Sequence, residues 1–125
     1  MKFYRCERCG NLVTQLVEGA GTLVCCGQPM GQLEAGVTDG AAAKHLPSIR
    51  LEGKNLTVQV GDVLHPMTPE HFIQFVLVRQ GDQMQYRKLA PTDEPKADFI
   101  VDGDHPFTVY AFCNLHGLWM TEHKG

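Results

Sequence analysis

Four cysteines lie near the start of this 125-residue chain, in a segment too small to form a large hydrophobic core. Cys6 and Cys9 are separated by two residues, and Cys25 and Cys26 are adjacent. A segment of about 35 residues buries too little apolar surface to fold alone, so it requires a metal ion or disulfides as a further constraint. The amino-terminal part of the chain is therefore expected to be a cross-linked unit.

The cysteine count favours a metal over disulfides. The chain has five cysteines, an odd number, and no charged-then-apolar leader precedes Cys6. Disulfide frameworks favour even counts and oxidising compartments. We therefore expect a cytoplasmic protein with metal-binding thiolates. A vicinal disulfide or a thioredoxin-like redox pair is less favoured, because no βαβ pattern surrounds the motif.

Four thiolates suit the tetrahedral sulfur sites of zinc and of iron. Neighbouring side chains of an extended segment point to opposite sides, so Cys25 and Cys26 reach one metal only if the backbone bends there. Gly27 and Pro29 lie where they permit such a bend. The spacing alone leaves a structural zinc ribbon and an iron site equally open.

The remainder of the chain has the pattern of short strands. Leu56, Val58 and Val60 alternate with polar residues, and residues 72–89 form a hairpin pattern around Gly81. This pattern favours an antiparallel sandwich or barrel. We predict a metal domain at residues 1–36, a linker at 37–40 and a β domain at 41–125.

A second group of donors lies in the β domain and consists of four histidines and the fifth cysteine: His45, His65, His71, Cys113 and His116. Two prolines restrict the loop between His65 and His71, and Cys113 is close to His116. Neutral imidazoles with one thiolate suit a divalent transition metal of borderline softness. His105, in a predicted turn, and His123, in a predicted tail, are expected to be ordinary solvated histidines.

The face of the strand on which Cys113 lies is left open by the pattern. Val109, Ala111 and Cys113 share one face of this predicted strand, while Tyr110 and Phe112 share the other. Either face suits a hydrophobic core. The pattern therefore permits a sheltered sulfur without requiring one.

Charge and hydropathy exclude two classes of partner. The formal net charge is −3 and the basic residues are scattered, which argues against nucleic acid. The longest apolar run, at residues 75–78, is too short to cross a bilayer, so no membrane association is expected. A site for an anionic substrate would need local positive charge.

The motifs of both donor groups resemble those of the desulfoferrodoxins, the two-iron superoxide reductases, over nearly the whole chain. The amino-terminal motifs are Tyr4-Arg5-Cys6-x2-Cys9-Gly10-Asn11 and Val24-Cys25-Cys26-Gly27. Those of the second domain are Lys44-His45-Leu46-Pro47, His65-Pro66-Met67-x2-Glu70-His71 and Cys113-Asn114-Leu115-His116-Gly117-Leu118-Trp119. Their combination is specific to this family.

The resemblance implies a mostly β chain with a desulforedoxin-like domain followed by an immunoglobulin-like antiparallel sandwich. It implies a rubredoxin-like iron on the first four cysteines and a square-pyramidal iron in the sandwich. Cys113 would be its axial ligand, and the equatorial ligands would be His45, His65, His71 and His116. Superoxide would be reduced to hydrogen peroxide at its open position. A homodimer and a rubredoxin-like electron donor are further implications.

Two residues directly before His45, Ala43 and Lys44, bear on the mechanism. Most of the family has glutamate where this chain has Ala43, so water, hydroxide or another anion is expected at the sixth position of the oxidised iron. Lys44 is retained and is our candidate for the charge that attracts superoxide. The competing interpretations are a non-enzymatic iron electron carrier and a zinc-stabilised binding module without redox activity.

Overall fold

The computed structural model describes residues 1–37 and 44–125, and every regular element in these ranges is a β-strand. The described chain forms two compact units, Met1–Glu34 and Ala35–Gly125. Residues 38–40 of the predicted linker and the position of Ala43 lie outside the described residues. Within the described ranges, no helix is long and apolar enough to cross a membrane.

The first unit contains five short strands. These are β1 (Phe3–Arg5), β2 (Leu12–Thr14), β3 (Val24–Cys25), β4 (Gln28–Pro29) and β5 (Gly31–Gln32). Strand β1 pairs antiparallel with both β2 and β5, while β3 and β4 form a separate two-stranded hairpin. Strands of two or three residues provide few ladder hydrogen bonds, which agrees with the need for a cross-link in so small a unit.

The second unit contains seven strands. These are β6 (Pro47–Glu52), β7 (Asn55–Val60), β8 (Ile73–Gln80), β9 (Gln83–Lys88), β10 (Lys96–Ile100), β11 (Phe107–Cys113) and β12 (Gly117–His123). They form a three-stranded sheet in the order β10-β7-β6 and a four-stranded sheet in the order β12-β11-β8-β9. All neighbours are antiparallel. Three- and four-stranded antiparallel sheets make the predicted immunoglobulin-like β-sandwich, so the fold class is confirmed.

The core explains why the sequence alternates as it does. Leu56, Val58 and Val60 are fully buried, as the alternation in β7 predicts. Val109, Ala111 and Cys113 belong to the same buried cluster, so this side of β11 faces the core between the sheets. The sequence pattern left the orientation of Cys113 open. The structure places its side chain on the core-facing side of β11, at the last residue of the strand.

Two strands of the sandwich were not predicted, β6 and β12. Placing His123 in a tail was wrong, because β12 continues to that residue, which lies opposite Phe107 in the ladder with β11. The imidazole of His123 stacks on Phe107 with ring centroids 4.5 Å apart, and its Nε2 is 2.9 Å from the carbonyl oxygen of Gly103. Cross-strand pairing thus orders the carboxyl-terminal residues. His105 is exposed, as expected.

Candidate metal centres

The first four cysteines converge in the amino-terminal unit. Their Sγ atoms all lie within 4.8 Å of one another. Cys6 and Cys9 occupy the loop between β1 and β2, which is closed by hydrogen bonds from the Cys6 N–H to the Asn11 carbonyl at 2.8 Å and from the Gly10 N–H to the Cys6 carbonyl at 2.9 Å. This loop holds both sulfurs on one side.

The adjacent cysteines converge because the chain turns between them. Cys25 ends β3, whereas Cys26 and Gly27 form the two-residue hairpin loop to β4, with φ angles of 52° and 77°. Positive φ at both central residues defines a type I′ turn. A side chain at positive φ costs about 1 kcal/mol, so Cys26 is held in an unfavourable backbone conformation that brings its sulfur beside that of Cys25.

The electrostatics of the four thiols favour a bound cation. Hydrogen bonds from the backbone N–H groups of Cys9 and Arg8 lower the pKa of the Cys6 thiol to about 6. Hydrogen bonds with the sulfurs of Cys9 and Cys6 raise the pKa of Cys26 to about 12. The Cys6 thiolate therefore forms readily while the Cys26 thiol resists ionisation, and a metal ion is the species that lets four thiolates coexist.

The second donor group forms at one end of the sandwich, from both sheets. His45 precedes β6, His65 and His71 lie in the connection from β7 to β8, Cys113 ends β11, and His116 lies in the turn before β12. The start of β6 is paired with the end of β7, and the start of β8 with the end of β11. This antiparallel pairing brings all five donor atoms within 4.8 Å of one another.

The four imidazoles form a closed ring. Going round it, the centroid distances are 5.1 Å for His45–His65, 4.6 Å for His65–His71, 5.0 Å for His71–His116 and 4.8 Å for His116–His45. Adjacent rings are inclined by 60° to 83°. Each imidazole therefore has two imidazole neighbours, an arrangement suited to four donors around one ion.

The contacts of the ring nitrogens indicate which nitrogen of His65, His71 and His116 faces the group. His65 Nδ1 is 2.7 Å from the Pro66 carbonyl oxygen, which fixes a proton on Nδ1 and leaves the Nε2 lone pair. Nε2 of His65 and Nε2 of His71 are buried and have no hydrogen-bond partner among the described residues. His116 differs, since its Nδ1 lies 3.1 Å from His45 Nε2 and 3.8 Å from Cys113 Sγ.

Burial keeps these donors in the state that binds metals. It lowers the pKa of His65 to about 4, against the opposing effect of the Pro66 hydrogen bond, and it also lowers the pKa of His71. Both imidazoles are therefore neutral at neutral pH, with free lone pairs. Burial raises the pKa of the Cys113 thiol, so a thiolate there requires a cation. Buried polar nitrogens without hydrogen-bond partners are suited to binding a metal ion.

Asn114 joins the two loops that carry the donors, a role not recognised from the sequence. Its Oδ1 accepts a hydrogen bond from the Phe72 N–H at 3.0 Å, and its Nδ2 donates to the Glu70 carbonyl at 3.0 Å. These two backbone groups flank His71. The available signal in the sequence was an asparagine directly after Cys113, but the partners of this asparagine are distant in sequence.

Lys44 is exposed and directly precedes His45. A Cβ atom added to Gly61, at the end of β7, would lie 2.6 Å from the Lys44 carbonyl oxygen, and the Gly61 N–H donates to the Leu46 carbonyl at 3.0 Å. The φ of Gly61 is +84°. A glycine is thus required where the backbone of the Lys44–Leu46 segment lies against the turn after β7.

Two family models divide the chain between them. That of the desulfoferrodoxins matches residues 37–122, and that of the desulfoferrodoxin N-terminal domain matches residues 1–33. The chain belongs to the desulfoferrodoxin family. The chain is 44% identical over 121 residues to a desulfoferrodoxin homolog of Archaeoglobus fulgidus, covering 97% of this chain and 96% of the relative.

Two further comparisons concern a short amino-terminal segment and nearly the whole chain. The chain is 63% identical over 27 residues to desulforedoxin from Megalodesulfovibrio gigas, covering 22% of this chain and 73% of that protein. The superoxide reductase from Treponema pallidum has a similar structure, with a TM-score of 0.78, 27% identity and coverage of 96% of each chain. In this family, the four-cysteine group and the histidine–cysteine group are consistent with iron at both centres.

Proposed function

We propose that this desulfoferrodoxin is a superoxide reductase that converts superoxide to hydrogen peroxide at the second centre. The observation that carries the proposal is the ring of four imidazoles, two with buried and unpartnered Nε2 atoms, beside a buried cysteine sulfur. The solved structures with a similar fold include superoxide reductases. The reaction consumes one electron and two protons for each superoxide.

We assign the residues of each centre as iron ligands. Cys6, Cys9, Cys25 and Cys26 would hold the first iron. At the second centre, Nε2 of His45, His65 and His71, Nδ1 of His116 and Sγ of Cys113 are the proposed donors. Iron bound there supplies the electron that reduces superoxide.

The burial of the donors supports one direction of approach. Cys113 is fully buried, whereas His116 is exposed and His45 half-buried. The sulfur therefore lies at the inner end of the group, and solvent reaches the histidine side. Five protein donors leave room for a small anion on that side. Cys113 would hold the iron as a thiolate, and a thiolate ligand would supply electron density to it.

Lys44 is the proposed source of local positive charge. Lys44 is exposed and directly precedes the half-buried donor His45, and the molecule as a whole is acidic. An ammonium group there would attract superoxide and orient water that delivers protons to the product. Gly61 supports this role by holding the backbone of the Lys44–Leu46 segment in one position.

The test is the reaction of iron-loaded, reduced protein with superoxide, followed by stopped flow or pulse radiolysis. A reductase yields one hydrogen peroxide per superoxide and releases no dioxygen, while the reduced centre is oxidised. Cys113→Ser should abolish rapid oxidation, whereas the matched variant His105→Ala, outside the donor ring, should react normally. Dioxygen release, or equal loss in both variants, would refute the proposal.

The electron carrier is the alternative, and it is not favoured. A carrier needs no solvent-facing coordination position at a second centre, and the solved neighbours are superoxide reductases. The first centre is proposed to supply reducing equivalents to the second. A rubredoxin-like protein is the proposed external donor.

We further propose a cytoplasmic homodimer that associates through the first unit. Apolar side chains exposed on that unit support this association: Val13, Leu16, Val17 and Val24. The five free cysteines agree with a reducing compartment. Sedimentation analysis tests the dimer, and Leu16→Ser combined with Val17→Ser should increase the fraction of monomer. An unchanged monomeric mass in the native protein would exclude it.

A further inference from the structure

Trp119 contacts two of the proposed iron ligands from outside the ring. Its indole stacks on the imidazole of His45 with ring centroids 4.8 Å apart and an interplanar angle of 14°. Its Nε1 donates a hydrogen bond to the His116 carbonyl oxygen at 3.1 Å. One side chain in β12 thus contacts a ligand from the segment before β6 and the turn that carries another.

The backbone around the indole limits its movement. Gly36 forms a parallel bridge opposite Trp119, with its N–H donating to the Leu118 carbonyl and its carbonyl accepting from the Met120 N–H, each at 2.9 Å. A Cβ atom added to Gly36 would lie 2.6 Å from Cε3 of the indole. The indole ring of Trp119 therefore lies so close to position 36 that only a glycine fits there.

The same strand also holds the segment that follows His45. Thr121 Oγ1 donates to the Pro47 carbonyl oxygen at 2.7 Å. Trp119 and Thr121 are two residues apart in β12 and so lie on the same side of the strand. One face of β12 therefore positions both the backbone after His45 and the plane of its imidazole.

We propose that Trp119 is a positioning residue that sets the orientation of the His45 imidazole and fixes the turn of His116, and thereby controls iron affinity at the second centre. This inference rests on the proposed function to the extent that these histidines bind iron. It assigns Trp119 no contact with the substrate. Residues that orient metal ligands from outside the coordination shell commonly alter affinity by about tenfold to a hundredfold.

Three variants separate the parts of this role. Trp119→Leu removes both the aromatic face and the N–H donor, and should weaken retention of ferrous iron against a competing chelator by about tenfold or more. Trp119→Phe restores an aromatic face without the donor and should recover most of that loss. Tyr86→Leu, at an exposed aromatic residue of the same four-stranded sheet, is the matched control and should retain iron like the native protein.

A double-mutant cycle tests whether the indole itself transmits the effect. As a single substitution, Gly36→Ala should displace the indole and weaken iron retention. It should add little to the effect of Trp119→Leu, because the indole atoms that the new methyl group would meet are then gone. Purely additive losses would contradict the mechanism. If Trp119→Leu does not fold, Gly36→Ala decides the question by itself: weakened iron retention supports the positioning role, and native retention overturns it.

A spectroscopic readout is available because Trp119 is the single tryptophan of the chain. Anaerobic addition of ferrous iron to the metal-free protein should quench its fluorescence, with saturation coinciding with filling of the second centre. In Trp119→Leu, the absorption band and reduction potential of that centre should shift, whereas a merely structural tryptophan would leave both unchanged.

The outcomes distinguish this inference from the proposed function. If native protein fails to reduce superoxide but Trp119→Leu loses iron about tenfold more readily, the function falls and the positioning role stands. If native protein reduces superoxide while Trp119→Leu and Gly36→Ala retain iron with unchanged absorption and potential, the positioning role is overturned.

Discussion

Replacing Asn114 with alanine should separate the loop of His71 from the turn that carries Cys113 and His116. The side chain makes two hydrogen bonds, one with the Phe72 N–H and one with the Glu70 carbonyl. A hydrogen bond of this kind contributes about 1 kcal/mol, so Asn114→Ala should lower the free energy of unfolding by about 2 kcal/mol. For a domain of this size, that corresponds to a decrease in Tm of about 8–16 °C.

Iron retention should fall as well, because the lost hydrogen bonds flank a proposed ligand. We expect a decrease in affinity of about tenfold. Asn114→Asp is the informative second variant, since it keeps an oxygen for the Phe72 N–H but places another oxygen against the Glu70 carbonyl. It should therefore remain destabilised, even though its side chain has the same shape.

Urea unfolding of the metal-free protein and chelator competition of the iron-loaded protein measure these two effects. Asn55→Ala, at an exposed position of β7, is the control and should change stability by less than about 0.5 kcal/mol. A loss below about 0.5 kcal/mol in Asn114→Ala, together with native iron affinity, would refute the reasoning.

Three further predictions concern the charge, the backbone and the first centre. Lys44→Ala should lower the rate constant with superoxide by about tenfold and weaken its dependence on ionic strength, whereas an unchanged rate constant in stopped flow would reject the role of this lysine. Gly61→Ala should destabilise the protein by about 2 kcal/mol or more, compared with about 1 kcal/mol for Gly53→Ala, which has positive φ but open space around it. Equal losses in chemical denaturation would show that contact of the new methyl group with the carbonyl oxygens of Val63 and Lys44 does not matter. Removing the first metal with a chelator should abolish the hydrogen-exchange protection of β1–β5. The amides of β7 and β8 should stay protected, because only the second unit has a large apolar core. Retained protection in β1–β5 would contradict this expectation.

Much of the local structure followed from the sequence. The alternation at Leu56, Val58 and Val60 predicted a half-buried strand, and the turn around Gly81 predicted the β8–β9 hairpin, both of which the structure contains. Strand β12 was missed because Gly117–His123 has no simple alternation, and its order depends on pairing with β11. Short-range patterns report periodicity, but they carry little information about distant pairing partners.

The sequence by itself determined which donor atoms are available, since four thiolates at short spacing and four imidazoles with a fifth thiolate are matters of residue type and local order. Only the tertiary structure decided that Cys113 faces the core, that Nδ1 of His116 lies near Cys113 Sγ, and that Asn114 and Trp119 contact the segments that carry these donors. The physical reason is that these relations join residues distant in the chain, and antiparallel pairing within each sheet together with packing between the sheets sets their distances.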